Sequence, residues 1–220
     1  MTHAEWREER RRAVSAPTGN LALIETRWGA DDPDAALAGQ PPTVTATRLT
    51  RRNQFGIEEH GIRLWDADSP AIRAFGGIDA YPYDPAWVLE GRFVEDARPV
   101  TFRHKLDSRD LPVPGDILLT LNGRDYRLSA FDDDGPLLLV FGDPTNGTET
   151  YESGRFLYVE PLSESGEQGG TDRVRLDFNR AFVPPCGFSE HYNCPLPPPQ
   201  NRFAIPIPVG EKKPIFKDKS

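Results

Sequence analysis

A chain of 220 residues with 34 acidic against 26 basic side chains carries a formal charge of −8. Such a field repels phosphate backbones, so nucleic acid is a poor partner. Hydrophobic residues at 37% and aromatics at 10% supply the apolar surface for a core, which argues against global disorder. No window approaches the ~18 apolar residues of a membrane-crossing helix. The opening MTHAEWREERRRAV lacks the hydrophobic stretch of a signal peptide, so no membrane association and a cytoplasmic location are expected.

The length fits a single all-β domain, which runs to roughly 200–250 residues. Proline (22) and glycine (19) are abundant without a repeating period, a composition that suits many turns between short strands. The expected fold is mainly β, an antiparallel β-sandwich or partly open barrel with an N-terminal helix. Its expected boundaries are a helix over 1–18, one β domain over 19–211 and a flexible tail over 212–220, where Lys212, Lys213, Lys217 and Lys219 crowd. An acidic, lysine-poor surface also fits adaptation to salt. Two cysteines are too few for a disulfide scaffold.

Taken in chain order, Thr2 and Glu5 have the spacing of a capping box, and Trp6, Ala13 and Val14 share one apolar face before Pro17 and Gly19 end the helix. Strands are predicted over 20–26 and 43–49, with 29–42 as a loop between them. In 55–65 a turn at Gly61 is expected to join two short strands, and Ser69-Pro70 reads as the cap and first turn of a short helix. Strand alternation resumes over 87–94. Asn122-Gly123, between two alternating runs, predicts a two-residue hairpin with a type I′ turn. Asp132 to Gly135 makes the next turn, and the apolar run 137–141 suits a buried strand. Strands over 154–160 and 173–178 flank a Gly/Ser/Glu-rich loop at 163–171. The alternating prolines of 203–209 confine that segment to a sheet edge or an extended packed path.

Candidate site chemistry concentrates between 137 and 211. Asp143, Thr145, Thr150, Tyr151 and Arg155 lie in one turn and the strand after it, and polar groups set between buried runs must bond to one another or to a ligand. The Arg155 guanidinium suits a bidentate hold on a carboxylate or phosphate, or else pairs with Asp143 to pin the loop. Period two places Asp177 and Asn179 on one strand face, facing either a pocket or water. Cys186, His191 and Cys194 offer three soft ligands for zinc, with His104 or His60 as a fourth, or a thiol nucleophile with a histidine base. The plainer reading is two small buried sulfur side chains that hold a loop.

At these residues the chain resembles the bacterial and archaeal domain of unknown function 1684 family. The resemblance rests on GIRLWDADSP (61–70), FGGIDAYPYDP (75–85), FGDPTNGTETYESGRF (141–156) and LDFNRAFVPPCGFSEHYNCPLPPPQNRF (176–203) with GEK (210–212). Arg63, Asp66, Asp143, Thr145, Thr150, Tyr151, Arg155, Asp177, Asn179, Cys186, Cys194, Asn201 and Glu211 fall on its motif positions. The chain departs from the pattern at Phe182-Val183, at Gln200 and at His191. The resemblance implies a fold and a site location without a reaction.

Three expectations follow. The first is a small-molecule site in which Asp143, Asp177 or Tyr151 serves as acid or base and Arg155, Thr145, Thr150, Asn179 and Asn201 bind an anionic ligand. The second is a non-catalytic structural or interaction module whose polar cluster only locks loops. The third is zinc binding by Cys186, His191 and Cys194. No cofactor and no oligomeric state is read from the sequence.

Overall fold

A computed structural model describes residues 1–52, 55–162 and 172–217. The loop expected at 163–171 lies outside them. In chain order the elements are α1 (His3–Val14), β1 (Leu23–Trp28), α2 (Pro33–Leu37), β2 (Val44–Arg52), β3 (Glu58–Asp66), α3 (Pro70–Ala74), β4 (Phe75–Ala80), β5 (Val88–Arg103), β6 (Ser108–Leu121), β7 (Arg124–Asp132), β8 (Leu137–Phe141), β9 (Arg155–Pro161), β10 (Arg173–Asp177) and β11 (Glu211–Phe216). The fold is mainly β, and no helix among the described residues is long and apolar enough to cross a membrane.

The chain divides into two compact units. The first gathers the described residues of 1–79, 185–194 and 214–217. Its helix α1 starts on the expected capping box, with the Thr2 side chain accepting from Glu5 N–H and the Glu5 carboxylate accepting from Thr2 N–H at 2.7 Å. Strands β1, β3 and β2 form a three-stranded sheet with β3 in the middle. One face of it buries Val44, Ile62 and Leu64 beside Ala36 of α2.

Two expectations are corrected here. The stretch 29–42 is not all loop, because Asp32 caps the backbone of Asp34 and Ala35 and Pro33 opens α2 with its preset φ. Gly61 makes no turn: β3 runs straight through it, paired to Trp28 on one side and Leu49 on the other. A Cβ at Gly61 would stand 2.6 Å from the Arg27 carbonyl oxygen, so the glycine serves close approach of the neighbouring strand. The last strand is a further difference. Lys212 and Lys213, expected in a flexible tail, belong to β11, whose end turns Phe216 edge-on to Phe75.

The second unit holds the described residues of 80–184 and 195–213. Here β10, β5, β6, β7, β8 and β9 close into a six-stranded antiparallel barrel. Closure removes the free edges that a partly open barrel would leave. The Asn122-Gly123 hairpin forms as expected, with φ of 51° and 73° at the two residues, the left-handed pair that a type I′ turn requires. Inward residues of every strand fill the interior, among them Ile117, Leu128, Leu139, Leu157 and Leu176. Phe178 closes one part of this core, edge-on to Phe141 at 5.3 Å, Phe203 at 5.6 Å and Trp87 at 6.4 Å. The interior is a core packed with these side chains.

One buried charge staples three adjacent barrel strands. Asp116 of β6 is fully buried and accepts two bonds from Arg98 of β5 at 2.8 and 2.9 Å, one from Arg127 of β7 at 2.5 Å and one from the Ser129 hydroxyl at 3.0 Å. Burial alone pushes its carboxyl up, but the hydrogen bonds from Arg98, Arg127 and Ser129 outweigh it and hold the pKa below the ordinary value. A carboxyl depressed in the folded state stabilises the protein above its unfolded pKa of about 3.9 and loses that contribution as pH falls through the folded value. Chemical denaturation of the wild type should therefore show stability declining below about pH 4. In Asp116→Asn this portion of the acid dependence should disappear, and an unchanged slope would contradict the staple. For the aromatic core, Phe178→Ala should cost about 3–5 kcal/mol in a urea titration. Phe55→Ala, at a 76% exposed position, should stay within about 0.5 kcal/mol of wild type.

Candidate functional site

The segment that joins β8 to β9 is built on self-contained hydrogen bonding. Asp143 Oδ1 accepts from Thr145 N–H at 2.7 Å and from the Thr145 hydroxyl at 2.5 Å, while Asn146 Oδ1 accepts from Asp143 N–H at 2.7 Å. The Thr145 and Thr150 hydroxyls meet at 2.9 Å, and Asn146 Nδ2 donates to the Thr150 hydroxyl at 2.9 Å. Thr145 and Thr150 are buried, so the short polar side chains replace the water that their backbone would otherwise need.

Arg155 opens β9 opposite Phe141 and is fully buried. One terminal nitrogen, Nη2, donates to Asp143 Oδ2 at 2.6 Å and to the Ile207 carbonyl at 2.8 Å; the other, Nη1, donates to the Val209 carbonyl at 2.5 Å. The sequence around those carbonyls explains the arrangement. Pro206 and Pro208 have no N–H, so the extended segment 203–209 cannot join a ladder and its carbonyls need donors from elsewhere. A guanidinium with five donors in a fixed fork supplies them, and Asp143 neutralises its charge. Its face also lies over the Phe141 ring at 5.2 Å. Burial pulls the Arg155 pKa below the ordinary value, against the opposing effect of Asp143. The Nε of Arg155 is buried and has no hydrogen-bond partner among the described residues.

The other polar positions do not converge on this pair. Asn179 is fully buried; its Oδ1 accepts from Asp84 N–H at 2.8 Å and its Nδ2 donates to the Asp84 carbonyl at 2.9 Å and to Asp177 Oδ1 at 3.0 Å. Asp177 and Asn179 do not share a strand face. β10 ends at Asp177, which caps a 3-10 turn over Phe178–Arg180, and the period of two stops there. Asn201, also fully buried, donates to the Ser129 carbonyl at 2.8 Å and the Val140 carbonyl at 2.9 Å and accepts from Ser129 N–H at 2.8 Å. It sits between β7 and β8, which pair at only Phe131 and Asp132, and its amide completes the ladder where these strands part. Tyr151 enters through its backbone, taking its N–H to the Lys212 carbonyl at 3.0 Å.

Two buried polar groups near Arg155 carry no signal of their own in the sequence. Glu211 accepts from Val183 N–H at 2.8 Å. Tyr81 has its phenol pushed up to about 12, chiefly by burial and then by Glu149. Only the motif spacing of the family segment points to Glu211, and Tyr81 reads as an ordinary aromatic beside Pro82.

Cys186, His191 and Cys194 belong to the first unit. Cys186 N–H donates to Cys194 Sγ at 3.3 Å, while His191 is engaged through its backbone, with its carbonyl accepting from the Thr26 hydroxyl at 3.0 Å. A hydrogen bond with the Cys186 thiol, and then burial, push the Cys194 thiol pKa up. Among the described residues no three His, Cys, Asp or Glu side chains converge on a point that would hold a metal ion. His104 is buried, with Nδ1 at 3.0 Å from the Phe102 carbonyl, and His60 is exposed beside Thr50.

Comparison with known proteins gives three results. Over 120 residues the chain is 33% identical to the bifunctional enzyme IspD/IspF of Campylobacter jejuni subsp. jejuni and of subsp. doylei, covering 54% of this chain and 28% of theirs. The chain therefore spans little more than a quarter of those relatives. It is similar to the solution NMR structure of an uncharacterized protein from gene locus rrnAC0354 of Haloarcula marismortui, with 27% identity and a TM-score of 0.50 over 63% of this chain and 77% of that one. Residues 73–212 match the model of the family described as protein of unknown function (DUF1684). That span holds the Arg155, Asn179 and Asn201 clusters, and the chain belongs to the DUF1684 family.

Proposed function

We propose that this protein is a non-catalytic structural or interaction module in which Asp143, Thr145, Thr150, Arg155, Asn179 and Asn201 hold irregular segments on a filled barrel. The observation that carries this reading is the full burial of Arg155 with both of its terminal nitrogens engaged by the protein itself. A guanidinium that anchors an anionic ligand needs a solvent-facing edge, whereas both terminal nitrogens of Arg155 are taken by Asp143, Ile207 and Val209 at full burial. Asn179 and Asn201 likewise spend their amides on backbone groups. Acid–base work by Asp143 or Asp177 has little support, since Asp143 is spent on Arg155 and Thr145 and Asp177 caps a 3-10 turn. The partial likeness to IspD/IspF enzymes brings no activity to this reading, because most of those enzymes has no counterpart here.

Removing one partner of a buried ion pair leaves the other charge unpaired, so Arg155→Met and Asp143→Ala should each lose about 3–5 kcal/mol in denaturant titration. A thermal-shift screen of the wild type with phosphorylated and carboxylated metabolites should give no stabilisation. Variants that keep wild-type stability, together with an anionic ligand whose stabilisation they lose, would restore the small-molecule reading at Arg155.

A second reading is favoured by one observation on the barrel surface. A groove of about 720 Å3 runs beside the bulge where the β5–β6 register shifts between Glu95 and Arg98. Pro99, Leu111, Pro112 and Val113 line it, and Asp110, Asp132 and Asp134 add negative charge, while the Arg98 guanidinium is drawn off to Asp96 and Asp116. An apolar surface with carboxylates around it suits a small organic cation and disfavours an anion. Phenethylamine should raise the melting temperature, and at about 100 times its Kd the gain is about 2.7 kcal/mol. Phenylpropionate, with a similar body and opposite charge, should not, and the effect should vanish in Asp110→Asn/Asp132→Asn. Equal responses to both compounds, or none, would remove this second reading.

A further inference from the structure

Neither the polar locks nor the groove uses the two thiols of the Pro185–Cys194 segment, which belongs to the first unit. The Cys186 backbone N–H donates to Cys194 Sγ at 3.3 Å, so the inner sulfur lies directly against the Cys186 backbone. A sulfur this close to the backbone of the other cysteine is the proximity a bridge between the two residues requires. Their exposures differ: Cys186 is half-buried and Cys194 is 8% exposed. A reagent in solution therefore meets Cys186 first and leaves Cys194 as the inner partner.

The segment around them is held in place. The Ser189 hydroxyl donates to the Leu23 carbonyl at 2.7 Å, the Thr26 hydroxyl donates to the His191 carbonyl at 3.0 Å, and Asn20 Nδ2 donates to the Tyr192 hydroxyl at 3.2 Å. All three anchors lie between the two cysteines and fix the loop that joins them. The Arg63 guanidinium lies 5.1 Å over the Tyr192 ring and adds a further contact to this segment.

We infer that Cys186 and Cys194 form a redox modification site that closes to a disulfide by exchange with a low-molecular-weight disulfide such as glutathione disulfide. The Cys186 thiolate attacks one sulfur of that reagent, forming a mixed disulfide and releasing one thiolate, which takes up the proton Cys186 lost. Cys194, deprotonated, then attacks Cys186 Sγ; the protein disulfide forms, the bond to the reagent breaks, and the second small thiol leaves with the Cys194 proton. The protein thiols lose two electrons in all, and the small disulfide gains them as two thiols. The product fixes the segment over Leu23 and Thr26 by a covalent closure added to the three hydrogen bonds.

The full chain, incubated with glutathione disulfide and then alkylated, should lose both reactive thiols. Peptide mapping should find Cys186 joined to Cys194 in the same chain, and dithiothreitol should return both thiols. In Cys194→Ser the glutathione adduct should persist on Cys186, because the resolving thiol is gone. In Cys186→Ser the remaining Cys194 should react on the order of tenfold more slowly or worse. Oxidised wild type should melt at a higher temperature than reduced wild type, a comparison that needs no variant. The inference is overturned if folded wild type keeps both thiols, if it stops at the mixed disulfide, or if the cross-link joins two chains.

Discussion

The barrel of this protein depends on a buried positive charge placed against a segment that cannot hydrogen-bond itself. Residues 203–209 alternate apolar side chains with Pro206 and Pro208, and Phe203, Ile207 and Val209 are buried in the core. A proline-interrupted segment packs well and pairs badly, since its carbonyls face the interior with no matching N–H row. Arg155 resolves this by donating to two of those carbonyls, and Asp143 keeps the guanidinium from being an isolated charge. Lysine would carry the same charge without the planar fork, and it could not address Val209, Ile207 and Asp143 together.

The same device recurs with neutral groups. Asn179 presents one acceptor and one donor to the two backbone groups of Asp84, as a neighbouring strand residue would. Asn201 does so for Ser129 and adds the Val140 carbonyl. Each such bond contributes about 1 kcal/mol net, but leaving any of these buried groups without a partner costs more. The family segment thus reads as a set of side chains that stand in for missing backbone where the sheet is irregular. The barrel interior, with Phe141, Phe178 and Phe203 meeting edge to face, needs those irregular segments as its cover.

Local signals in the sequence were the legible ones. The capping box at Thr2 and Glu5, the Asn122-Gly123 hairpin and the buried run of β8 each depend on residues within a few positions of one another. Sequence pattern misleads where one residue type serves two purposes. Gly61 has the look of a turn and works as a point of strand contact; Asp177 and Asn179 have the spacing of a strand face and lie across a strand end. The clustering of Asp143 with Arg155 was visible because twelve residues separate them, whereas the carbonyls of Ile207 and Val209 lie 52 and 54 residues beyond Arg155. No periodicity reports a partner at that distance. Asp116 was hidden for a related reason, since an acid in an alternating run looks like an outward residue until Arg98 and Arg127 close over it.

The Asn201 amide leaves the chain open to chemical ageing at one atom. Hydrolysis of that amide would exchange a donor of two hydrogen bonds for an oxygen facing the carbonyl oxygens of Ser129 and Val140. An attraction would become a repulsion with almost no change in shape. Full burial and a rigid 3-10 turn shield the position in the folded state, so a molecule that opens often would accumulate the lesion and fail to reclose. Damage at this residue would then record how much time the barrel has spent unfolded.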